Sequence, residues 1–306
     1  MATVDPRSSG DRMWEKESRF GRRAEVVSVN RLTETGTVHI GAHVTDDLPF
    51  DFKPGQFLAF QEDVPGVGIQ RSPYCMFQPP AADRTIEMLI RVFPEGPLSH
   101  YLASMRPGTP LAFRGPSGRS MLPKDDDIDS ELVMLATGVG ISPLHSVIVH
   151  LLREGDRRRI QLFWGLRLEE DICLTDDLDA LSAAHPNFTY SISLSQPPEG
   201  WDGLRGRLTE TVPPLLDSLG GKRYYLSGNG AMCEEMELAL SGMGVDRSLI
   251  RQERFFNVSY RAEPAKIDAI AARFVAHDLF SPLAEQQAPL LFAIERDVHG
   301  RKMGPG

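Results

Sequence analysis

The sequence predicts a two-domain protein: an antiparallel β-barrel, then an α/β domain built on a parallel sheet, with a C-terminal helical extension beyond it. Three observations carry this. A chain of 306 residues is longer than one hydrophobic core ordinarily serves. Its first third is a series of short β-branched runs broken by Gly, Pro and Asp, the spacing of an all-β barrel or sandwich. From Glu131 onward short apolar runs alternate with amphipathic stretches, which is the signature of parallel strands covered by helices.

The barrel domain, residues 20–122, is expected to hold strands at Ala24–Arg31, Thr37–Val44, Gln56–Gln61, Thr85–Val92 and Pro110–Gly115. One helix begins near Gly96-Pro97-Leu98-Ser99, carries His100–Met105 and is closed by Pro107-Gly108. The acidic, turn-rich stretch Pro123–Ser130 reads as a linker. In the second domain, residues 130–256, strands are expected at Glu131–Ala136, Arg159–Gly165, Phe188–Leu194, Arg223–Ser227 and Leu249–Phe255. Helices are expected at Pro143–Arg153, Asp176–Ala184 and Ala231–Met243. Residues 257–306 form a tail in which Pro264–Leu279 has helical spacing and for which a packing or assembly role is expected.

Composition narrows the function classes. Hydrophobic content of 41% is ordinary for a globular chain, and no run approaches the ~20 apolar residues of a membrane span. Met1 to Arg23 is polar and charged with no apolar core, unlike a secretory signal, so a cytoplasmic location is expected. Cys75, Cys173 and Cys233 are widely separated, which excludes a disulfide framework, a Cys-x-x-Cys metal knuckle and a four-thiolate iron–sulfur cluster. No metal site is expected. A net charge of −9 argues against nucleic acid as a partner; the one dense basic run, Arg157-Arg158-Arg159, reads as a solvated turn.

Chemistry is concentrated in four motifs. Leu132 to Pro143 runs as an apolar strand through Thr137-Gly138-Val139-Gly140 into a helix at Ser142-Pro143, where close backbone N–H groups and a helix N-terminus suit a pyrophosphate. A second turn of the same kind, Leu226-Ser227-Gly228-Asn229-Gly230-Ala231-Met232, follows a later strand; together the two would open at the carboxyl edge of one sheet. In the first domain, Gly96, Leu98 and Ser99 at a helix start form another anion seat. Upstream, Arg71-Ser72-Pro73-Tyr74-Cys75 combines a guanidinium with an aromatic face, a combination that suits a flavin dinucleotide.

In this order, over residues 20–256, the motifs resemble the ferredoxin–NADP⁺ reductase superfamily, which includes cytochrome b5 reductases and oxygenase reductases. Arg71…Tyr74-Cys75 resembles its Arg-x-Tyr-Ser flavin motif. Gly96 to Ser99 resembles its FAD pyrophosphate turn, with Leu89-Ile90-Arg91-Val92 at the flavin edge. Thr137 to Pro143 and Leu226 to Met232 resemble its two nucleotide turns, and Glu253-Arg254-Phe255-Phe256 its closing strand. The resemblance implies an FAD-binding barrel and an NAD(P)-binding domain that pass hydride from NAD(P)H to FAD. Single electrons would then go to a separate ferredoxin-like or haem protein. The alternatives are a small-molecule flavin reductase or diaphorase, and a flavin-bearing electron-transfer or regulatory subunit that no longer uses NAD(P)H.

By the same resemblance, Tyr74 would stack on the isoalloxazine, Arg71 and Ser99 would hold the FAD pyrophosphate, and Cys75 would lie near flavin N5. Thr137, Gly138 and Gly140 would seat the nicotinamide nucleotide's pyrophosphate, Ser227 and Gly228 would lie near the nicotinamide, and Glu253 beside the hydride path. Cys75, Ser227 and Glu253 are the candidate catalytic residues; Ser142, Pro143, Arg167, Met232 and Phe256 complete the cofactor-binding set. Three departures stand out. Two residues separate Arg71 from Tyr74 where the family has one, so either Arg71 is displaced or Ser72 takes its place; Cys75 replaces Ser or Thr; Ser227 replaces Cys. Leu194 stands where NADPH-using relatives have Arg, and Glu169, Glu170 and Asp171 follow Arg167, so NADH is favoured over NADPH.

Overall fold

The computed structural model describes residues 21–92, 97–123 and 129–255. Gly96, Phe256, much of the expected linker and residues 257–306 lie outside the described residues, and with them the expected helical extension.

The first domain is one six-stranded antiparallel sheet of β1 (Arg22–Arg31), β2 (Thr37–Val44), β3 (Phe57–Val64), β4 (Gly68–Cys75), β5 (Thr85–Arg91) and β6 (Pro110–Ser117), in the order β4-β3-β6-β1-β2-β5. Alternation drives it: on β1 Ala24 and Val26 are buried while Glu25 and Val27 face out. The sheet curls until its edge strands meet, and among the described residues they join over a short stretch, at the bridge of Met76 to Met88 and where Phe77 N–H donates to Glu87 O at 2.8 Å and Glu87 N–H to Gln78 Oε1 at 2.8 Å. It is therefore a half-barrel with an open seam between β4 and β5. Helix α1 (Pro97–Ala103) packs Leu98 and Leu102 into the core formed by Ile40, Leu58, Phe60, Ile90 and Phe113.

The second domain is a six-stranded parallel sheet of β7 (Glu131–Thr137), β8 (Ile160–Leu166), β9 (Phe188–Leu194), β10 (Leu204–Arg205), β11 (Lys222–Gly228) and β12 (Ile250–Arg254), in the order β10-β9-β8-β7-β11-β12. Its helices are α2 (Ile141–Arg153), α3 (Thr175–Ala184), α4 (Leu208–Thr211) and α5 (Gly230–Gly242). Strand β7 is buried on both faces: Leu132, Met134 and Ala136 join the core that contains α2, while Val133 and Leu135 join the one that contains α5. The chain runs outward from β7 through β8, β9 and β10 and returns to β11 on its other side. The carboxyl ends of β7 and β11 therefore flank the switch point, where ligands of open α/β sheets bind.

Among the described residues, Phe77, Leu89 and Met121 of the barrel pack into the core of the second domain, and polar and stacking contacts add to this. His145 on α2 stacks on Phe77 with ring centroids 3.9 Å apart and donates from Nδ1 to Phe77 O at 3.0 Å. Ser146 Oγ donates to Gln78 O at 2.7 Å, Arg251 donates to Leu122 O, and Arg91 pairs with Asp171. The Arg157-Arg158-Arg159 run precedes β8, at the end of the sheet opposite the switch point, and Arg158 is paired with Asp156, in keeping with a turn.

Candidate active site

The glycines of the two switch-point turns bring their backbones into contact. A Cβ on Gly140 would lie 2.5 Å from Gly228 Cα and 2.6 Å from Ser227 O, so only glycine fits there. Gly228 adopts φ +117, and a Cβ on it would meet Thr137 Oγ1 at 2.5 Å. Thr137 Oγ1 accepts the Asn229 N–H at 2.9 Å, and Trp164 Nε1 donates to Gly138 O at 2.9 Å. The two turns are thus in direct contact and tied by hydrogen bonds.

They are not equivalent, contrary to the sequence reading. The α5 N-terminus is capped from within, because Asn229 Oδ1 accepts from Ala231 N at 2.8 Å and Met232 N at 3.4 Å. No side chain caps α2, whose first turn begins at Gly140. The α2 turn thus keeps its backbone N–H groups free of a side-chain cap, and the β11 turn packs against it. Asn229, unremarked in the sequence, makes this difference; the signal was an Asn directly before a helical run.

Ser227 is fully buried, and its Oγ has no hydrogen-bond partner among the described residues. A buried hydroxyl left open in this way is costly, and one at the mouth of a nucleotide turn fits a ligand amide or carbonyl. Ser227 is in register with Glu253 on β12. Burial pushes the Glu253 carboxyl up to about 7. Across the domain seam, Cys75 is 7% exposed, and its thiol is pushed well above its usual value by burial and then by the Glu253 charge. Cys75 therefore stays a neutral thiol, a weak donor and not a nucleophile. Glu253, from β12, thus stands in register with Ser227 on β11 and close enough to Cys75 of the barrel for its charge to act on the thiol.

On the barrel side, β4 pairs with β3 without a bulge, so Ser72 and Tyr74 share the face of Phe60 and Leu58, whereas Arg71 shares the opposite face with Pro73 and Cys75. Ser72 therefore shares the face of Tyr74, while Arg71, on the other face, donates from Nε to Gln61 Oε1. Tyr74 is half-buried, 6.1 Å from Phe60 between ring centroids, at the open seam. A half-covered aromatic on the edge strand β4 offers a face that fits a planar ring such as isoalloxazine.

Several of the other expected ligands have side chains engaged within the protein. Ile90 and Leu98 are fully buried in the barrel core, Val92 packs against it, and Arg91 gives its guanidinium to Asp171. Met232 packs under the second turn, and Ser142 Oγ donates to Val139 O at 2.8 Å, bracing the first turn just before Pro143. Ser99 is buried at the start of α1, and Arg167 is half-buried, its carbonyl accepting from Gln196 N at 2.9 Å.

A barrel with an open seam, packed against a parallel sheet whose switch point carries an uncapped glycine turn, defines a two-domain flavin- and nicotinamide-dependent oxidoreductase. Comparison with known proteins agrees: residues 38–121 match the oxidoreductase FAD-binding domain and residues 134–237 the oxidoreductase NAD-binding domain. The chain is similar to the ferredoxin–NADP reductase B of Sorangium cellulosum, 30% identical over 217 residues covering 69% of this chain and 88% of that protein. It is 28% identical over 251 residues to the reductase component DmpP of phenol 2-monooxygenase from Pseudomonas sp. (strain CF600), covering 80% and 69% of the two chains. Among solved structures, the ferredoxin reductase of a carbazole 1,9a-dioxygenase superposes with a TM-score of 0.67 at 27% identity, covering 77% of this chain and 69% of that one. The chain belongs to the ferredoxin–NADP reductase superfamily and is an FAD-dependent NAD(P)H oxidoreductase.

Proposed function

We propose that the protein takes hydride from NADH and delivers electrons singly to a separate ferredoxin-like or haem protein. The observation that carries this reading is Glu253, in register with Ser227 beside the β11 turn and acting by its charge on Cys75 of the barrel. Bound FAD would supply the two-electron to one-electron conversion. The chain's own residues do the rest. Tyr74 and the seam would orient the ring, with Ser72 and Ser99 toward the cofactor's phosphate side. Thr137, Gly138 and Gly140 would place the nicotinamide nucleotide, with Ser227 Oγ as a hydrogen-bonding partner for its carboxamide. Glu253, poised near neutrality, holds or releases a proton beside the Cys75 thiol.

NADH is favoured because the loop that would face a 2′-phosphate offers little free cation. Leu194 is fully buried, Arg205 donates to Pro198 O at 3.3 Å and Trp201 O at 2.7 Å, and Glu169 and Glu170 are exposed after Arg167. A separate acceptor is supported by the oxygenase and ferredoxin reductases among the relatives and by a chain with no four-thiolate cluster site. A cytoplasmic setting is supported by free thiols at Cys75, Cys173 and Cys233; no helix among the described residues is long and apolar enough to cross a membrane.

The test is anaerobic stopped-flow reduction of the FAD-loaded protein with each nucleotide. Bleaching at 450 nm, a wavelength set by flavin chemistry, is expected with both and at least about tenfold more efficient with NADH. No bleaching with either refutes hydride transfer. Turnover of a small acceptor that is unchanged by added ferredoxin refutes the protein partner.

A further inference from the structure

Arg91 and Asp171 form an ion pair across the domain seam, with NH1 to Oδ1 at 3.4 Å and side chains only 4% and 3% exposed. Arg91 ends β5, the strand that borders the open seam of the half-barrel. Asp171 ends the short turn Glu169–Asp171 after β8, and its Oδ2 accepts the Leu168 N–H at 3.1 Å. One carboxylate thus holds the barrel with one oxygen and the loop next to Arg167 with the other. Beside the pair a small cavity is lined by Leu89, Gly138, Val139, Trp164, Asp171 and Cys173, so the pair adjoins the turn that Trp164 Nε1 braces at Gly138 O.

Stability does not account for this pair. Dehydrating two charges costs about what their attraction returns, and an apolar pair of similar volume would hold the seam as well. Direction is what an ion pair adds. Interfaces between domains of one chain yield easily, whereas hydride transfer tolerates little displacement, about 1 Å costing roughly a hundredfold in rate.

We propose that Arg91–Asp171 is a positioning pair that fixes the flavin-side edge of the barrel against the α2 nucleotide turn. This rests on reading the site as one of hydride transfer. Neither residue touches the reacting atoms; each acts through the strand or loop that it holds.

Full-length Asp171→Asn and Arg91→Gln variants test it, together with an apolar double variant, Arg91→Met with Asp171→Leu, that strands no charge and so keeps the question open if the single variants fold poorly. In the flavin-free protein, hydrogen exchange at the Leu168 amide and in peptides over residues 86–92 is expected to quicken by about tenfold or more in the single variants. In FAD-loaded protein, the limiting rate of flavin reduction at saturating NADH is expected to fall about tenfold or more, with nucleotide Kd and FAD content within about twofold of the parent. The double variant is expected to regain thermal stability but not the rate. A double variant that reduces at the parent rate overturns the proposal, and so does unchanged exchange in both single variants. A parent protein that neither NADH nor NADPH reduces refutes the functional reading instead, and the exchange measurement, made without nucleotide, still decides whether the pair ties the two edges.

Discussion

Replacing Glu253 by Gln should stabilise the protein, and by an amount that depends on pH. Burial lifts this carboxyl from 4.5 to about 7. At about 1.4 kcal/mol per pH unit, such a rise costs the charged form about 3 kcal/mol, a ceiling here because the side chain is half-buried and keeps some contact with water. The folded-state value lies above the unfolded one, so the folded protein binds the extra proton and stability falls as pH rises between 4.5 and about 7. The penalty is absent below that window and complete above it. Urea unfolding of flavin-free parent and Glu253→Gln proteins, followed by tryptophan fluorescence, should give nearly equal stabilities at about pH 4, below that window. At pH 8 the variant should gain up to about 3 kcal/mol. A gap that is the same at both pH values would refute the claim that desolvation of the carboxylate causes the shift.

Three further outcomes follow from the site. Gly140→Ala places a Cβ 2.5 Å from Gly228 Cα, so nucleotide-driven flavin reduction should fall about a hundredfold while FAD content is kept, measured by stopped flow and absorbance. Ser227→Ala removes a buried hydroxyl that lacks a partner; it should raise stability by about 1 kcal/mol in thermal unfolding and weaken nicotinamide nucleotide binding several-fold by titration. Glu237 accepts from Gln252 Nε2 and lies 3.2 Å from Arg254, which flank Glu253 on β12. Glu237→Ala should therefore loosen that strand, costing about 1–3 kcal/mol and broadening the Glu253 titration seen by carboxyl NMR.

Strand β9, Phe188–Leu194, was legible residue for residue because His185-Pro186-Asn187 punctuates a β-branched run. The turn after β7 was legible for the same reason, an apolar run stopping at glycines. Strand β4 was not read as a strand: Gln70-Arg71-Ser72-Pro73 is polar and contains Pro, and it is extended only because β3 supplies its hydrogen bonds and β4 is an edge where Pro is tolerated. Without that strand, the opposite faces of Arg71 and Tyr74 could not be assigned. Nor could the unequal roles of the two glycine turns, which depend on Asn229 Oδ1 and on Thr137 meeting Asn229 from a distant part of the chain. The two-residue β10 and the four-residue α4 fall below the length at which periodicity is visible. His145 on Phe77, Ser146 on Gln78 and Arg91 on Asp171 join residues far apart in the chain, which no local pattern announces.

The short join around Met76 and Met88 also bears on how the first domain holds together. A sheet closed all the way round shares strain among its strands; one fastened over so short a stretch behaves as a sleeve with a slit. A dinucleotide lying along that slit would act as a missing stave, adding roughly 4 kcal/mol to the folded state when present at a thousand times its Kd. Loss of the cofactor would then be felt first as a parting of β4 from β5, so that in this chain the redox group and the architecture that carries it fail together.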